Sequence, residues 1–168
     1  MLQIFIISGP CGVGKSTVSK ELTRLIPKSA LIHGDDFLHI YNEATSPPWE
    51  EMLAIMWKNI LSITQNLLLH QFHVIIDTVV EDELEWFCRH FSHMNVQFRY
   101  VVLRADASEL KERILKRGDV EITERSLFLL EKLENETAFN KPYLYDTMDK
   151  AVEEIAKDII QFPPLKIK

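Results

Sequence analysis

Cysteine and glycine are both scarce in this chain: two and five, respectively, in 168 residues. Cys11 and Cys88 are too few for a disulfide framework, so stability must come from a packed core. Free thiols fit a reducing compartment, and a cytoplasmic location is expected. Hydrophobic residues at 46% with few glycines exclude a low-complexity or disordered chain. Basic residues are also in deficit, 19 against 25 acidic, for a net charge of −6. That balance argues against coating nucleic acid with a broad basic surface. No apolar run approaches the roughly 20 residues needed to cross a bilayer, and the run Leu2–Ile7 is too short for a secretion signal. No repeat or linker divides the chain, so one domain over residues 1–168 is expected.

Three of the five glycines crowd into Gly9-Pro10-Cys11-Gly12-Val13-Gly14-Lys15-Ser16, a complete GxxxxGKS phosphate-binding loop. An apolar strand-like run precedes it and a helix-like pattern follows, the order this chemistry needs. Such a loop aims backbone N–H groups at phosphate oxygens, and the helix start adds the positive end of its dipole. Gly9, Cys11, Gly12, Val13, Gly14, Lys15, Ser16 and Thr17 are therefore the expected nucleotide-binding residues. Lys15 supplies charge to the outer phosphates, and the Ser16 hydroxyl suits Mg²⁺. A nucleoside triphosphate is the expected ligand.

Strand-like and helix-like segments alternate along the rest of the chain. Strands are expected at Leu2–Ser8, Ala30–His33, His73–Thr78, Phe98–Leu103 and Tyr143–Tyr145. Helices are expected over 16–26, from Pro48 with the stripe Leu53, Trp57, Ile60, Thr64, Leu67 and Leu68, over 81–94, over 107–117, from Thr123 to Ala138, and from Val152 to Ile160. Five strands joined by helices imply an α/β fold with a parallel sheet and right-handed crossovers. Ligands in such sheets bind beyond the carboxyl ends of the strands.

That edge gathers a set of acids. Asp35 and Asp36 follow the second strand, where a carboxylate can accept a proton from an attacking hydroxyl or simply cap the next helix. Asp35 is the expected base and Asp36 the cap or a secondary ligand. Asp77 ends Val74-Ile75-Ile76 and is placed to orient Mg²⁺ through water, although an acid at a strand end is common on its own account. Arg113 and Arg117 lie four apart just before Gly118, either a solvated helix face or charge that closes over phosphates. His39 and Trp49 are the expected acceptor-loop residues, whereas His90 and His93 lack a carboxylate or cysteine partner for a metal.

The phosphate loop, the strand-end Asp and Leu110-x-x-Arg113-x-x-x-Arg117 before a short lid together resemble the small P-loop kinases. Gly34-Asp35-Asp36-Phe37-Leu38-His39 and Pro48-Trp49 are most similar to gluconate-kinase-like proteins, with one extra Asp. The resemblance covers most of the chain. It implies a three-layer P-loop fold with strand order 2-3-1-4-5, a lid at about residues 117–125, and ATP with Mg²⁺. It further implies phosphoryl transfer to a hydroxyl of a small molecule such as a sugar acid, nucleoside or antibiotic. Carried over, Asp35 is the acid that binds or deprotonates the acceptor, Arg113 packs by the adenine, and Arg117 reaches the phosphates. Two features depart from the pattern: the lid Gly118–Ile122 is acidic, and no arginine pair stands ready for an acceptor carboxylate. A 5′-hydroxyl nucleic-acid kinase and a non-catalytic nucleotide-binding regulator are the competing readings. The absence of Lys and Arg from residues 37–51 speaks against the first, and intact Lys15, Ser16 and Asp35 against the second.

Overall fold

In the computed structural model, which describes residues 1–166, five strands form one parallel sheet. The strands are β1 (Leu2–Ser8), β2 (Ser29–His33), β3 (His73–Asp77), β4 (Val96–Arg104) and β5 (Leu144–Asp146), in the order β2-β3-β1-β4-β5. This is the order implied by the resemblance. Side chains of a strand alternate between faces, and central β1 is apolar on both because both are covered. Ile4 and Ile6 pack under α2 (Trp49–Leu69) and α3 (Leu84–Arg89), together with Trp57, Ile60, Leu68 and Phe87. Phe5 and Ile7 pack under α1 (Lys15–Leu25) and α6 (Val152–Gln161), together with Val18, Leu22, Ile155 and Ile159. The result is a three-layer sandwich.

The long helix α2 starts where the sequence signals put it. Pro48 is the N-cap and Glu50 and Glu51 occupy the first turn, favourable to the helix dipole. Its stripe buries Trp57, Ile60, Thr64 and Leu68. Two other helices are shorter than their periodicity suggests. Over 81–94 only α3 is helical, because the Glu83 carboxylate accepts the N–H groups of Glu81 and Asp82 and holds that stretch as a loop. Leu84, Phe87, Cys88 and Phe91 are nevertheless buried. The helix expected from Thr123 to Ala138 is α5 (Thr123–Glu131), followed by one wide π turn over Lys132–Glu136. There the Thr137 N–H reaches back to the Lys132 carbonyl, which closes the turn and ends the helical run. Before α5, α4 (Ala107–Arg117) ends on Gly118 at φ 80°.

One glycine governs the junction of β2 with the site. A Cβ on Gly34 would stand 2.6 Å from Thr78 Oγ1 and 2.7 Å from its Cβ. Only a hydrogen fits, so the single-turn helix Gly34–Leu38 can lie directly against the end of β3.

Candidate active site

The phosphate loop leaves β1 at Gly9, whose φ of 140° and 2.5 Å approach of a built Cβ to the Leu103 carbonyl admit only glycine. Gly12, Val13 and Gly14 complete the turn, and Ser16 and Thr17 are exposed in the first turn of α1. The first N–H groups of that helix have no intrahelical partner and are available to an anion. Lys15 is buried, and its ammonium donates to the carbonyls of Gly9 at 3.0 Å and Pro10 at 3.1 Å. Its charge therefore lies across the loop.

Beside the loop, Ser16, Lys20, His33, Asp35, Asp36 and Asp77 line one open cleft of about 270 Å³. Register explains the convergence: His33 pairs with Asp77 across β2 and β3, and Asp77 pairs with Ile7 of β1. Asp77 is buried and lies 2.9 Å from Nδ1 of His33; a carboxylate only accepts, so Nδ1 carries the proton. Water reaches Asp35 through the cleft mouth, yet protein crowds the carboxyl from the other sides. That loss of water raises its pKa above the ordinary aspartate range; the Lys15 charge opposes the shift, and Asp77 and Asp36 add to it. A hydroxyl and carboxylates are hard oxygen donors, a set that fits Mg²⁺. Among the described residues no group of three or more His, Cys, Asp or Glu forms a metal cage by itself. Mg²⁺ seldom needs one, since it takes one or two carboxylates and completes its shell with water and phosphate.

The two helices that flank residues 118–122 both hold the phosphate loop. Arg113 on α4 donates from Nη1 to the Val13 carbonyl at 3.1 Å and from Nε to Glu109 at 2.8 Å. Ser126 on α5 is wholly buried and donates to the Cys11 carbonyl at 2.6 Å. Arg117 is exposed at the end of α4 and has no hydrogen-bond partner among the described residues. His39 and Trp49 are exposed, Trp49 at 51%, and neither is among the residues that line the cleft.

Sequence spacing missed two basic residues. Arg125 Nη2 and Lys132 Nζ both hold the Glu81 carboxylate, at 2.5 and 2.6 Å. Partial burial pushes the Glu81 pKa up, but the hydrogen bond from Lys132 and the charge of Arg125 outweigh it and hold the carboxyl below its usual range. Arg125 and Lys132 stand seven apart, two helical turns on one face, which was the local signal available. Farther along the carboxyl edge, Arg104 ties Asp106, Glu134 and Asp146 together, closing the β5 side. Cys88 is buried and its thiol is pushed up to about 12, so it remains protonated and inert.

A phosphate loop between β1 and α1 of a 2-3-1-4-5 sheet, with a strand-end acid on the neighbouring strand, defines a P-loop nucleotide-binding protein of the small-kinase fold. The AAA-domain family model matches residues 5–138, and the chain belongs to that family. No curated protein matches it by sequence. Several solved structures share the fold. The Deinococcus radiodurans tunicamycin resistance protein is 16% identical over 99% of this chain and 100% of its own, with a TM-score of 0.66. A gluconokinase from Sinorhizobium meliloti is 16% identical over 95% of this chain and 90% of its own, at 0.66. The APS kinase of Mycobacterium tuberculosis, solved with AMPPNP and APS, is 16% identical over 96% of each chain, at 0.70.

Proposed function

We propose that this protein is a Mg²⁺-dependent ATP phosphotransferase acting on a hydroxyl of a small molecule. The observation that carries the reading is the meeting of Ser16, Asp35, Asp36 and Asp77 in one cleft beside the phosphate loop. ATP would supply the phosphoryl group and Mg²⁺ would neutralise charge on its oxygens, as in other phosphoryl transfers. Ser16 and Asp77, through water, would hold the metal. Lys15 would exchange its two carbonyl partners for phosphate oxygens. Asp35 would orient the acceptor hydroxyl and take its proton, a role that its raised pKa brings closer to neutral pH. Asp36, His39 and Trp49 would line the acceptor side, and residues 117–125 would form the lid that carries Arg117 toward the phosphates. Arg113 would serve the nucleotide by fixing Val13 as well as by standing near the base. We read residues 1–168 as a single kinase domain. The absence of Lys and Arg from residues 37–51 favours a small molecule over a nucleic acid. The free thiols fit the cytoplasm, and among the described residues no helix is long and apolar enough to cross a membrane.

The test is an ADP-release screen over sugars, sugar acids, nucleosides, antibiotics and 5′-hydroxyl oligonucleotides, run beside calorimetry with ATP. Acceptor-dependent ADP that disappears in Lys15→Ala is expected. ATP binding without turnover on any acceptor would favour a nucleotide-sensing regulator instead.

A further inference from the structure

We infer that Glu81 is a specificity-determining residue: it occupies the two cations that border the entry half of the phosphate loop, and so directs the site toward uncharged hydroxyl compounds and away from carboxylated or phosphorylated ones. This rests on the kinase reading and narrows its acceptor.

Position comes first. Glu81 lies four residues after Asp77 in the loop that leaves β3, and Asp77 lines the cleft. The Val80 N–H donates to Ser8 Oγ at 3.0 Å, which presses this loop against the residue that precedes Gly9. Arg125 adjoins Ser126, whose hydroxyl holds the Cys11 carbonyl. The ion cluster therefore borders the entry half of the phosphate loop, whereas α4 and Arg113 approach the loop at Val13.

Charge decides the rest. Each Glu81 oxygen has one cation, Arg125 on Oε1 and Lys132 on Oε2, and the Glu81 side chain is only 19% exposed. An acceptor carboxylate could use these cations only by displacing an intramolecular carboxylate of the same charge. Glu81 would then be left mostly covered and unpaired, a loss larger than the pair itself is worth. The surrounding loops are acidic: Asp82 stands next in the chain, Asp35 and Asp36 lie in the cleft, and residues 37–51 carry Glu43, Glu50 and Glu51 with no Lys or Arg. Lys20, which also lines the cleft, stands on α1 one turn beyond Ser16. Repulsion and blocked cations exclude the wrong ligand, while a neutral hydroxyl compound loses nothing at this wall.

Glu81→Gln keeps the shape and frees the cations. Calorimetry with sodium gluconate, in saturating AMPPNP and Mg²⁺, compares it with the parent protein. No gluconate binding is expected for the parent, and a gain of at least about tenfold for the variant, corresponding to one recovered charged hydrogen bond. The gain should vanish in Glu81→Gln/Lys132→Gln. Gluconate binding by the parent as tight as by the variant, or no gain in a folded variant, overturns the inference. Should Glu81→Gln fail to fold, the acceptor screen on the parent decides: a neutral compound as the best acceptor upholds it, and an acidic or phosphorylated one overturns it. AMPPNP binding in the same cell is an independent check. Its loss in the parent would sink the kinase reading itself, whereas AMPPNP binding together with gluconate binding sinks only the role of Glu81.

Discussion

Replacing Ser126 by alanine removes one oxygen atom and the donor that fixes the Cys11 carbonyl at 2.6 Å. Ser126 is fully buried, so water cannot replace the lost donor without opening the packing of α5 on the loop. An acceptor left unsatisfied in this way costs about 1–3 kcal/mol. For a chain of this size each kcal/mol lowers the melting temperature by about 2–4 °C, so a fall of about 2–12 °C is expected. The functional effect should exceed the stability effect. A Cys11 carbonyl free to turn also releases the peptide that leads into Gly12 and Val13, where N–H groups meet phosphate. ATP with Mg²⁺ should then raise the melting temperature of Ser126→Ala less than that of the parent, because ligand stabilisation scales with affinity. Ser126→Cys, a weak donor of similar size, should recover part of the loss. A variant that melts lower yet gains as much from ATP as the parent does would show that Ser126 is packing alone. One that melts and binds like the parent would refute the tether altogether.

Three further outcomes follow from the same geometry. Gly34→Ala drives a Cβ into Thr78 and should cost about 1–3 kcal/mol by overpacking, read from urea unfolding, with turnover falling as Asp35 is displaced; a neutral effect would contradict the close approach. Because burial raises the Asp35 pKa, the acidic limb of kcat/KM should lie above the ordinary aspartate range and vanish in Asp35→Asn. The same group favours the folded state below its unfolded pKa and loses that contribution as pH rises through the folded one, so stability at mildly acidic pH should be flatter in the Asn variant. If Arg117 reaches the phosphates as proposed, Arg117→Ala should lower kcat more than it weakens ATP binding; unchanged kcat would leave it a solvated helix residue.

What was legible in the sequence was local. The phosphate loop, the apolar run of β1, the α2 stripe and the acids at the ends of β2 and β3 are each set by residues a few positions apart. Strand order needed the resemblance. Where periodicity overshot, a specific hydrogen bond had won: the Glu83 carboxylate against the first turn of α3, and the Thr137 N–H against the continuation of α5. The least legible part of the site joins distant segments. Glu81 meets Arg125 and Lys132 at separations of 44 and 51 residues, and no spacing rule connects a loop acid to a helix that far along the chain. Arg113 belongs to the same class, because its Val13 contact spans 100 residues. The lone pattern in the sequence there was the four-residue step to Arg117.

In the proposed mechanism a strand-end carboxylate beside the phosphate loop accepts the proton during phosphoryl transfer. Single-turnover kinetics of Asp35→Asn and Asp36→Asn, with calorimetry of ATP binding on the same samples, tests it most directly. Asn keeps the shape of Asp35 and removes the basic oxygen, so turnover should fall about 10²–10⁴-fold while ATP affinity stays within a few-fold. Asp36→Asn should lose much less. Near-normal turnover in both variants would contradict the account, and a larger loss in Asp36→Asn would transfer the role to its neighbour.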